Sequence, residues 1–153
     1  MCNEIYNVII RSSDYVSGTQ YTNIKVNVGA FLPQQSTQKY LCRVVQFSNV
    51  GADALSHDFL EIRADFNAPN TLDTGSGTGT SLVIMPTETI STGITTLDFN
   101  APRTVIVNPT APQWTITLTQ GITQAVADID TDWVLVLEFT PLTYKNLDYG
   151  QIM

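Results

Sequence analysis

Residues 22–28, TNIKVNV, decide the fold class of this chain. Within them Ile24, Val26 and Val28 alternate with polar residues. Successive side chains of a β-strand point to opposite faces, so a period of two indicates a strand with one apolar face and one wet face. The stretch therefore predicts a sheet that buries one of its two sides.

The same alternation recurs along the chain, at residues 60–65 (LEIRAD) and 114–119 (WTITLT). Six further segments are strand-like and are bounded by Gly, Pro, Asn or Thr turns: 5–11, 40–49, 82–85, 95–99, 104–107 and 133–139. Short strands with regular turns are typical of a β-sandwich or a β-barrel. We therefore expect an all-β domain over residues 1–140, with one turn of helix inside the loop 121–130.

Residues 133–139, WVLVLEF, depart from the alternation because both faces are apolar. Such a strand is predicted to be buried on both sides, either in the middle of the domain or under a neighbouring subunit. The C-terminal tail that follows, 141–153, is also apolar and has few charges. It is predicted to pack on its own domain or to reach a neighbour.

Composition narrows the class of partner. Charged residues make up 14% of the 153 residues, against about 25% in a typical domain, so much of the surface is neutral or covered by other subunits. The net charge is −7, and the basic residues are scattered singly, which argues against direct nucleic-acid binding. No apolar run approaches the length of a membrane span, the longest being residues 133–137, and the N-terminal residues lack the pattern of a secretory signal. Cys2 and Cys42 are expected to be reduced thiols in a cytoplasmic chain.

The residue types needed for catalysis or metal binding are sparse in this sequence. His57 is the single histidine and has no Gly-x-Ser-x-Gly elbow to serve, so it is interpreted as a solvated loop residue. Asp128, Asp130 and Asp132 begin like a calcium loop, but Trp133 stands where the loop needs glycine. A solvated acidic loop is the preferred interpretation, with a weak or interfacial cation site as the alternative. We predict no catalytic residue, no cofactor and no metal site.

Two other functions stay open on the residues alone. Trp114 and Trp133 could form a sugar-stacking platform in a carbohydrate-binding sandwich, although their place on apolar strand faces favours core packing. Paired carboxylates for glycoside hydrolysis are defined by their separation in space, so fourteen acidic residues leave that option open.

Four segments together carry a family resemblance: 6–14 (YNVIIRSSD), 18–23 (GTQYTN), the long strand 40–49, and 59–62 (FLEI). They resemble the small single jelly-roll capsid proteins of icosahedral double-stranded DNA viruses. Within that group they are most similar to the vertex, or penton, proteins of large algal and amoebal viruses, virophages and their relatives.

The resemblance implies a jelly roll of two four-stranded antiparallel sheets that works as a structural protein of the virion capsid. It implies a homopentamer at each fivefold vertex, in contact with the major capsid proteins, and assembly in the host cytoplasm. The chain has no room for the inserted domain that many vertex proteins carry, which puts receptor binding in doubt and keeps a minor capsid or cement role as the alternative. For subunit contact we select Trp133, Phe139, Tyr144 and Tyr149, with the loop 75–79 as a mobile tip.

Overall fold

The computed structural model describes residues 4–28, 39–50, 59–66, 68, 79–86, 94–98, 104–109, 111–121 and 123–142. A 3-10 turn at Ser12–Asp14 and eleven strands lie in these ranges: β1 Tyr6–Arg11, β2 Ser17–Thr19, β3 Asn23–Asn27, β4 Tyr40–Val50, β5 Phe59–Ala64, β6 Thr80–Pro86, β7 Ile94–Asp98, β8 Thr104–Val107, β9 Gln113–Gln120, β10 Ala125–Val126 and β11 Trp133–Pro141. The nine strands predicted from the sequence are all confirmed, to within a few residues at their ends. Strands β2 and β10 were missed, because three and two residues are too short to show a period.

The strands form two antiparallel sheets. The first sheet has the order β1-β11-β4, and β7 and β8 pair with different stretches of the same edge of β4. The second sheet has the order β2-β3-β9-β5-β6, with β10 continuing along β9. Strands β7 and β8 thus share one position, so the first sheet has four strand positions and the second has five.

The connections between the sheets identify the fold as a jelly roll. Along the chain, β1 lies in the first sheet, β3 in the second, β4 in the first, β5 and β6 in the second, β7 and β8 in the first, β9 in the second and β11 in the first. This repeated crossing between two antiparallel sheets is the double Greek-key arrangement of a jelly-roll sandwich. The predicted fold class is therefore confirmed.

The core lies between the two inner faces, where the alternating apolar residues of both sheets meet. From the first sheet β11 contributes Trp133, Leu135, Leu137 and Phe139, all buried. From the second sheet β9 contributes its own alternating residues, beginning with the buried Trp114. Each large apolar side chain buried in this way stabilises the fold by about 1.5–3 kcal/mol, which explains why the period of two specifies the sandwich.

Cys42 lies in this core with no exposed surface and is not part of a disulfide. Burial raises the pKa of its thiol well above the ordinary value, because the apolar surroundings disfavour the thiolate. We therefore expect Cys42 to resist alkylation by iodoacetamide at pH 8 in the folded protein and to react once urea unfolds the chain. Peptide mass spectrometry would measure this, and modification of Cys42 without denaturant would contradict its placement.

Two local predictions were wrong. Residues 121–130 contain no turn of helix in the described part, because Gly121 and Gln124 adopt positive φ angles of 69° and 55° and form a hairpin turn into β10. Of the two alternatives predicted for β11, burial on both sides within the domain is wrong, because Val134 and Val136 are only partly covered on the outer face; cover by a neighbouring subunit stays a prediction. The inner apolar residues of β11 lie in the core, and its outer apolar residues lie on the outer face of the first sheet.

A third prediction, the wet outer face of residues 60–65, is wrong for Glu61 and Arg63, whereas Asp65 is exposed as expected. Arg63 is 1% exposed and Glu61 is 7% exposed, although both point away from the core. Their side chains form an ion pair of 2.7 Å, and Arg63 also donates to the Gly79 carbonyl oxygen at 2.7 Å. Gln124, from the turn before β10, donates to the second carboxylate oxygen of Glu61 at 3.3 Å. The turn and the paired charges together explain how this face is covered without leaving a lone buried charge.

Candidate interaction surface

Four of the six exposed large apolar side chains among the described residues lie on or beside β1, and the other two, Ile84 and Val126, lie on the second sheet. Ile5, Ile9, Tyr15 and Val16 are 55%, 47%, 36% and 51% exposed, and all belong to β1 or to the turns that flank it. Solitary exposed apolar residues are ordinary on protein surfaces, whereas a contiguous group marks a site of interaction. We name this region the β1 edge, defined by these four residues and the free side of β1.

Strand β1 offers backbone groups as well as apolar side chains. It is the terminal strand of the first sheet and pairs with β11 alone among the described residues. No backbone hydrogen bond reaches its other side from the part of the chain that the structure describes. Its sequence, YNVIIR, has neither the proline nor the lysine with which edge strands commonly avoid pairing. The strand is therefore able to accept another strand.

A cavity of about 200 Å³ lies beside this free strand, between the two sheets. Residues 9–11 of β1 and 26–28 of β3 line it, together with Asp14 and Val16. Most of these residues are aliphatic, while Arg11 and Asp14 add one charge of each sign. Neither charged group forms a salt bridge within the described ranges. The cavity therefore suits an apolar side chain of a segment that also has charged residues near it in sequence.

Ser12 sets the position of Asp14 and Val16 relative to β1. Its hydroxyl is buried, donates to the Asp132 carboxylate at 3.1 Å and accepts from the Trp133 backbone N–H at 3.0 Å. The Val16 backbone N–H then donates to the Lys25 carbonyl oxygen at 2.8 Å, which attaches the chain to the second sheet. The turn is therefore held at both ends, and the cavity has fixed walls.

The outer face of the first sheet continues from the β1 edge. Ile9 is paired in register with Val136, which is partly buried. Further along, Arg43 forms an ion pair with Glu138 at 2.7 Å, and the hydrogen bond and charge of Glu138 raise the pKa of Arg43. The pair is bidentate, with a second hydrogen bond of 3.2 Å, but Arg43 is 42% exposed. The outer face of the first sheet therefore carries both charged and apolar side chains, and apolar ones lie next to β1.

The subunit-contact residues selected from the sequence lie elsewhere. Trp133 and Phe139 are 1% and 0% exposed, and their own chain covers them, so their side chains have no surface left for a neighbour. The assignment of these two residues to a subunit interface is corrected to core packing. Tyr144 and Tyr149 lie outside the described residues, as does the loop 75–78, and they remain predictions.

Sugar and cation sites find no support at the places where they were considered. The indole rings of Trp114 and Trp133 are both 1% exposed, so neither presents a stacking surface, as core packing predicted. Asp128, Asp130 and Asp132 are all exposed, as a solvated acidic loop requires, and the Asp132 carboxylate accepts a hydrogen bond from the Ser12 hydroxyl. Among the described residues no three His, Cys, Asp or Glu side chains are grouped as a metal site would require. The same part of the chain has no helix of sufficient length and apolar character to cross a membrane.

The β1 edge was not predicted from the sequence, although a signal for it was present. Residues 5–10, IYNVII, place apolar side chains on both faces of one strand, as residues 133–139 do. In β1 one face enters the core through Val8 and Ile10, and the other leaves Ile9 exposed. Apolar residues on both faces of β1 were therefore a signal that one of its apolar faces lies outside the core.

Neither a protein-family model nor a curated protein matches this chain.

Proposed function

We propose that this chain is a structural capsid subunit of an icosahedral double-stranded DNA virus, and that it is not an enzyme. In this proposal five copies form a ring at the fivefold vertex of the virion, beside the major capsid proteins, after assembly in the host cytoplasm. The resemblance of residues 6–14, 18–23, 40–49 and 59–62 to vertex proteins supports the viral assignment. A minor capsid or cement protein is the alternative, with the same fold and a different place in the shell.

The observation that carries the proposal is an unpaired apolar strand edge on a jelly-roll sandwich. A bare edge strand with exposed apolar side chains is a template for uncontrolled pairing unless another chain covers it. The β1 edge has both properties, since Ile9 and Val16 are about half exposed and β1 has no second partner among the described residues. A subunit of a shell meets neighbours on several sides, and one of these neighbours would cover the edge.

The position of the β1 edge also suits a ring. The β1 edge lies at one end of the first sheet, and β7 and β8 lie at the opposite end. A contact that joins one side of a subunit to a different side of the next is heterologous, and it closes into a ring when the rotation between copies permits. Such a contact requires no twofold symmetry.

Light scattering coupled to size-exclusion chromatography tests the assembly directly. We expect a mass of five chains at high protein concentration and dissociation on dilution, because the contact depends on exposed surfaces. Negative-stain images of the same fraction are expected to show fivefold rings. Ile9→Lys places a charge on the free edge and is expected to shift the equilibrium toward monomers.

The matched control is Ile84→Lys, because Ile84 is 56% exposed and lies on β6 at the far end of the second sheet. Equal effects of the two substitutions would remove the β1 edge from the proposal. Monomers at every concentration and salt, with no rings in images, would remove the capsid-subunit assignment itself.

A further inference from the structure

We propose that the β1 edge pairs with β8 of a neighbouring copy, so that the first sheet continues from one chain into the next. This inference rests on the proposed function in one respect only, which is that a second copy is present. It identifies the strand that covers β1 and places the contact between the two ends of one sheet. Main-chain hydrogen bonds between edge strands supply the affinity of such a contact.

Strand β8 is a free edge at the opposite end of the first sheet. It pairs with β4 alone among the described residues, and no backbone hydrogen bond reaches its other side from the described ranges. Its four residues, TVIV, are all β-branched and include neither a charge nor a proline that would discourage pairing. A contact between two β1 strands would leave the β8 end bare, whereas a contact of β1 with β8 covers both.

The directions of the strands allow this contact. Every pair in the first sheet is antiparallel. Because the sheet has four strand positions, β1 and β8 run in opposite directions. A copy that is added at the end of the sheet in a similar orientation therefore brings its β8 antiparallel to β1, as a heterologous contact in a ring requires.

The free backbone groups of the two edges also match. Tyr6, Phe139, Cys42 and Val105 lie opposite one another across the four strands. Opposite residues in antiparallel strands alternate between pairs that exchange hydrogen bonds and pairs that do not, so bonding alternates along this row. Tyr6 and Val105 therefore direct their backbone groups either both out of the sheet or both into it. Even-numbered residues of β1 can thus lie opposite odd-numbered residues of β8 with the free groups paired.

Two such registers place all four residues of β8 opposite β1. In the first register Ile106 lies beside Ile9. In the second, displaced by two residues, Ile106 lies beside Asn7 and Ile9 lies beside Thr104. Ile9 is 47% exposed and Ile106 is partly exposed, so only the first register covers these two apolar side chains with each other. Cross-strand pairs of this kind stabilise a sheet, which selects the first register.

The neighbouring side chains agree with the first register. Thr104 and Arg11 are both exposed and lie side by side, so the guanidinium can donate to the threonine hydroxyl. On the inner face Val105 lies beside Ile10, which lines the cavity. The strand of the neighbour therefore covers the cavity from the side of β1.

The same register supplies the stagger that a closed ring of strands requires. Within one chain Val105 lies in the row of Tyr6, whereas across the contact it lies beside Ile10, four residues further along β1. Four residues span about 13 Å along a strand, and four strand positions span about 19 Å across the sheet. The strands then tilt by about 35° from the ring axis, which is typical of closed sheets.

A disulfide test on the full-length chain identifies the paired strands. One tagged chain carries Ile9→Cys and a second carries Ile106→Cys, both with Cys2→Ser; Cys42 stays buried. Opposite residues of antiparallel strands have Cα atoms about 4.5–5.5 Å apart, within the span of a disulfide. After mixing and mild oxidation we expect a covalent heterodimer on a non-reducing gel. The control pair, Ile84→Cys with Ile106→Cys, is expected to give none.

Cross-linking no stronger than this control would overturn the proposal, and so would an equally strong disulfide between two chains that both carry Ile9→Cys. A chain with both cysteines is expected to give a ladder of covalent oligomers that ends at five chains. A ladder that continued past five would support the pairing and overturn the pentameric ring. Rings in images without the cross-link would overturn this pairing and leave the capsid-subunit proposal standing. Monomers in all conditions would overturn both.

Opposite charges at the same two positions provide an independent test by light scattering. Ile9→Lys and Ile106→Glu are each expected to raise the concentration needed for assembly. In the double variant every contact holds one positive charge opposite one negative charge. Assembly is then expected to be about two- to fivefold stronger than the two single effects predict together. Simple additivity of the two effects would contradict the direct pairing of these residues.

Discussion

Phe139→Ala is expected to lower the free energy of unfolding by about 3–5 kcal/mol. Phe139 has no exposed surface, and its ring lies 5.4 Å from that of Trp114, 5.9 Å from Phe66 and 6.1 Å from Tyr40, between centroids. Truncation leaves a cavity among three rings that belong to both sheets, and rigid rings close such a cavity poorly. Urea unfolding followed by tryptophan fluorescence measures the loss.

The same experiment separates core packing from subunit contact. If Phe139 packs in its own chain, Phe139→Ala lowers the free energy of unfolding by the same amount at a low and at a high protein concentration. Val136→Ala is the control, because Val136 lies on the outer face of the same strand and is expected to cost about 1 kcal/mol. A loss at Phe139 that disappeared on dilution would return this residue to the interface assigned from the sequence.

Arg63→Met is expected to destabilise the fold by about 3–5 kcal/mol, since it leaves the Glu61 carboxylate buried without its cation. The structure offers a matched control in the ion pair of Arg43 with Glu138. Both pairs have an N–O distance of 2.7 Å, but the Arg63 side chain is 1% exposed and the Arg43 side chain is 42% exposed. Arg43→Met is therefore expected to cost about 0.2–1 kcal/mol, as exposed pairs do.

Removal of both charges tests the reason for the difference. The double variant Glu61→Leu with Arg63→Met leaves no lone buried charge, so it is expected to be more stable than Arg63→Met alone. Urea unfolding of the parent, Glu61→Leu, Arg63→Met and the double variant, compared as a cycle, measures the coupling. Equal losses at Arg63 and Arg43 would show that burial does not govern the strength of these pairs.

Several properties of this protein followed from local sequence, and the reason is physical. The alternation at residues 22–28 and 114–119 located strands β3 and β9, because a sheet with one buried face requires apolar residues at every second position. Proline and glycine marked the ends of strands for the same kind of local reason. The jelly-roll order itself came from the family resemblance and was confirmed by the strand pairing, since periodicity locates strands without specifying their neighbours.

The alternation of apolar and polar residues could not by itself locate the candidate site. Residues 6–11 and 133–139 both show apolar side chains on two faces, yet β1 lies at the edge of its sheet and β11 lies between β1 and β4. That difference decides which strand is free to pair, and it depends on contacts between residues more than a hundred positions apart. The sequence analysis consequently assigned subunit contact to Trp133 and Phe139, which the fold encloses.

By itself, the sequence of this protein determined the all-β class, the positions of nine strands and the buried face of those strands that alternate, because side-chain alternation is a property of neighbouring residues. Tertiary structure alone decided that Glu61 and Arg63 are buried on an outer face, that Trp133 and Phe139 belong to the core, and that β1 carries the free edge. These facts depend on which strand lies beside which, and distant segments of the chain settle that through the packing of two sheets.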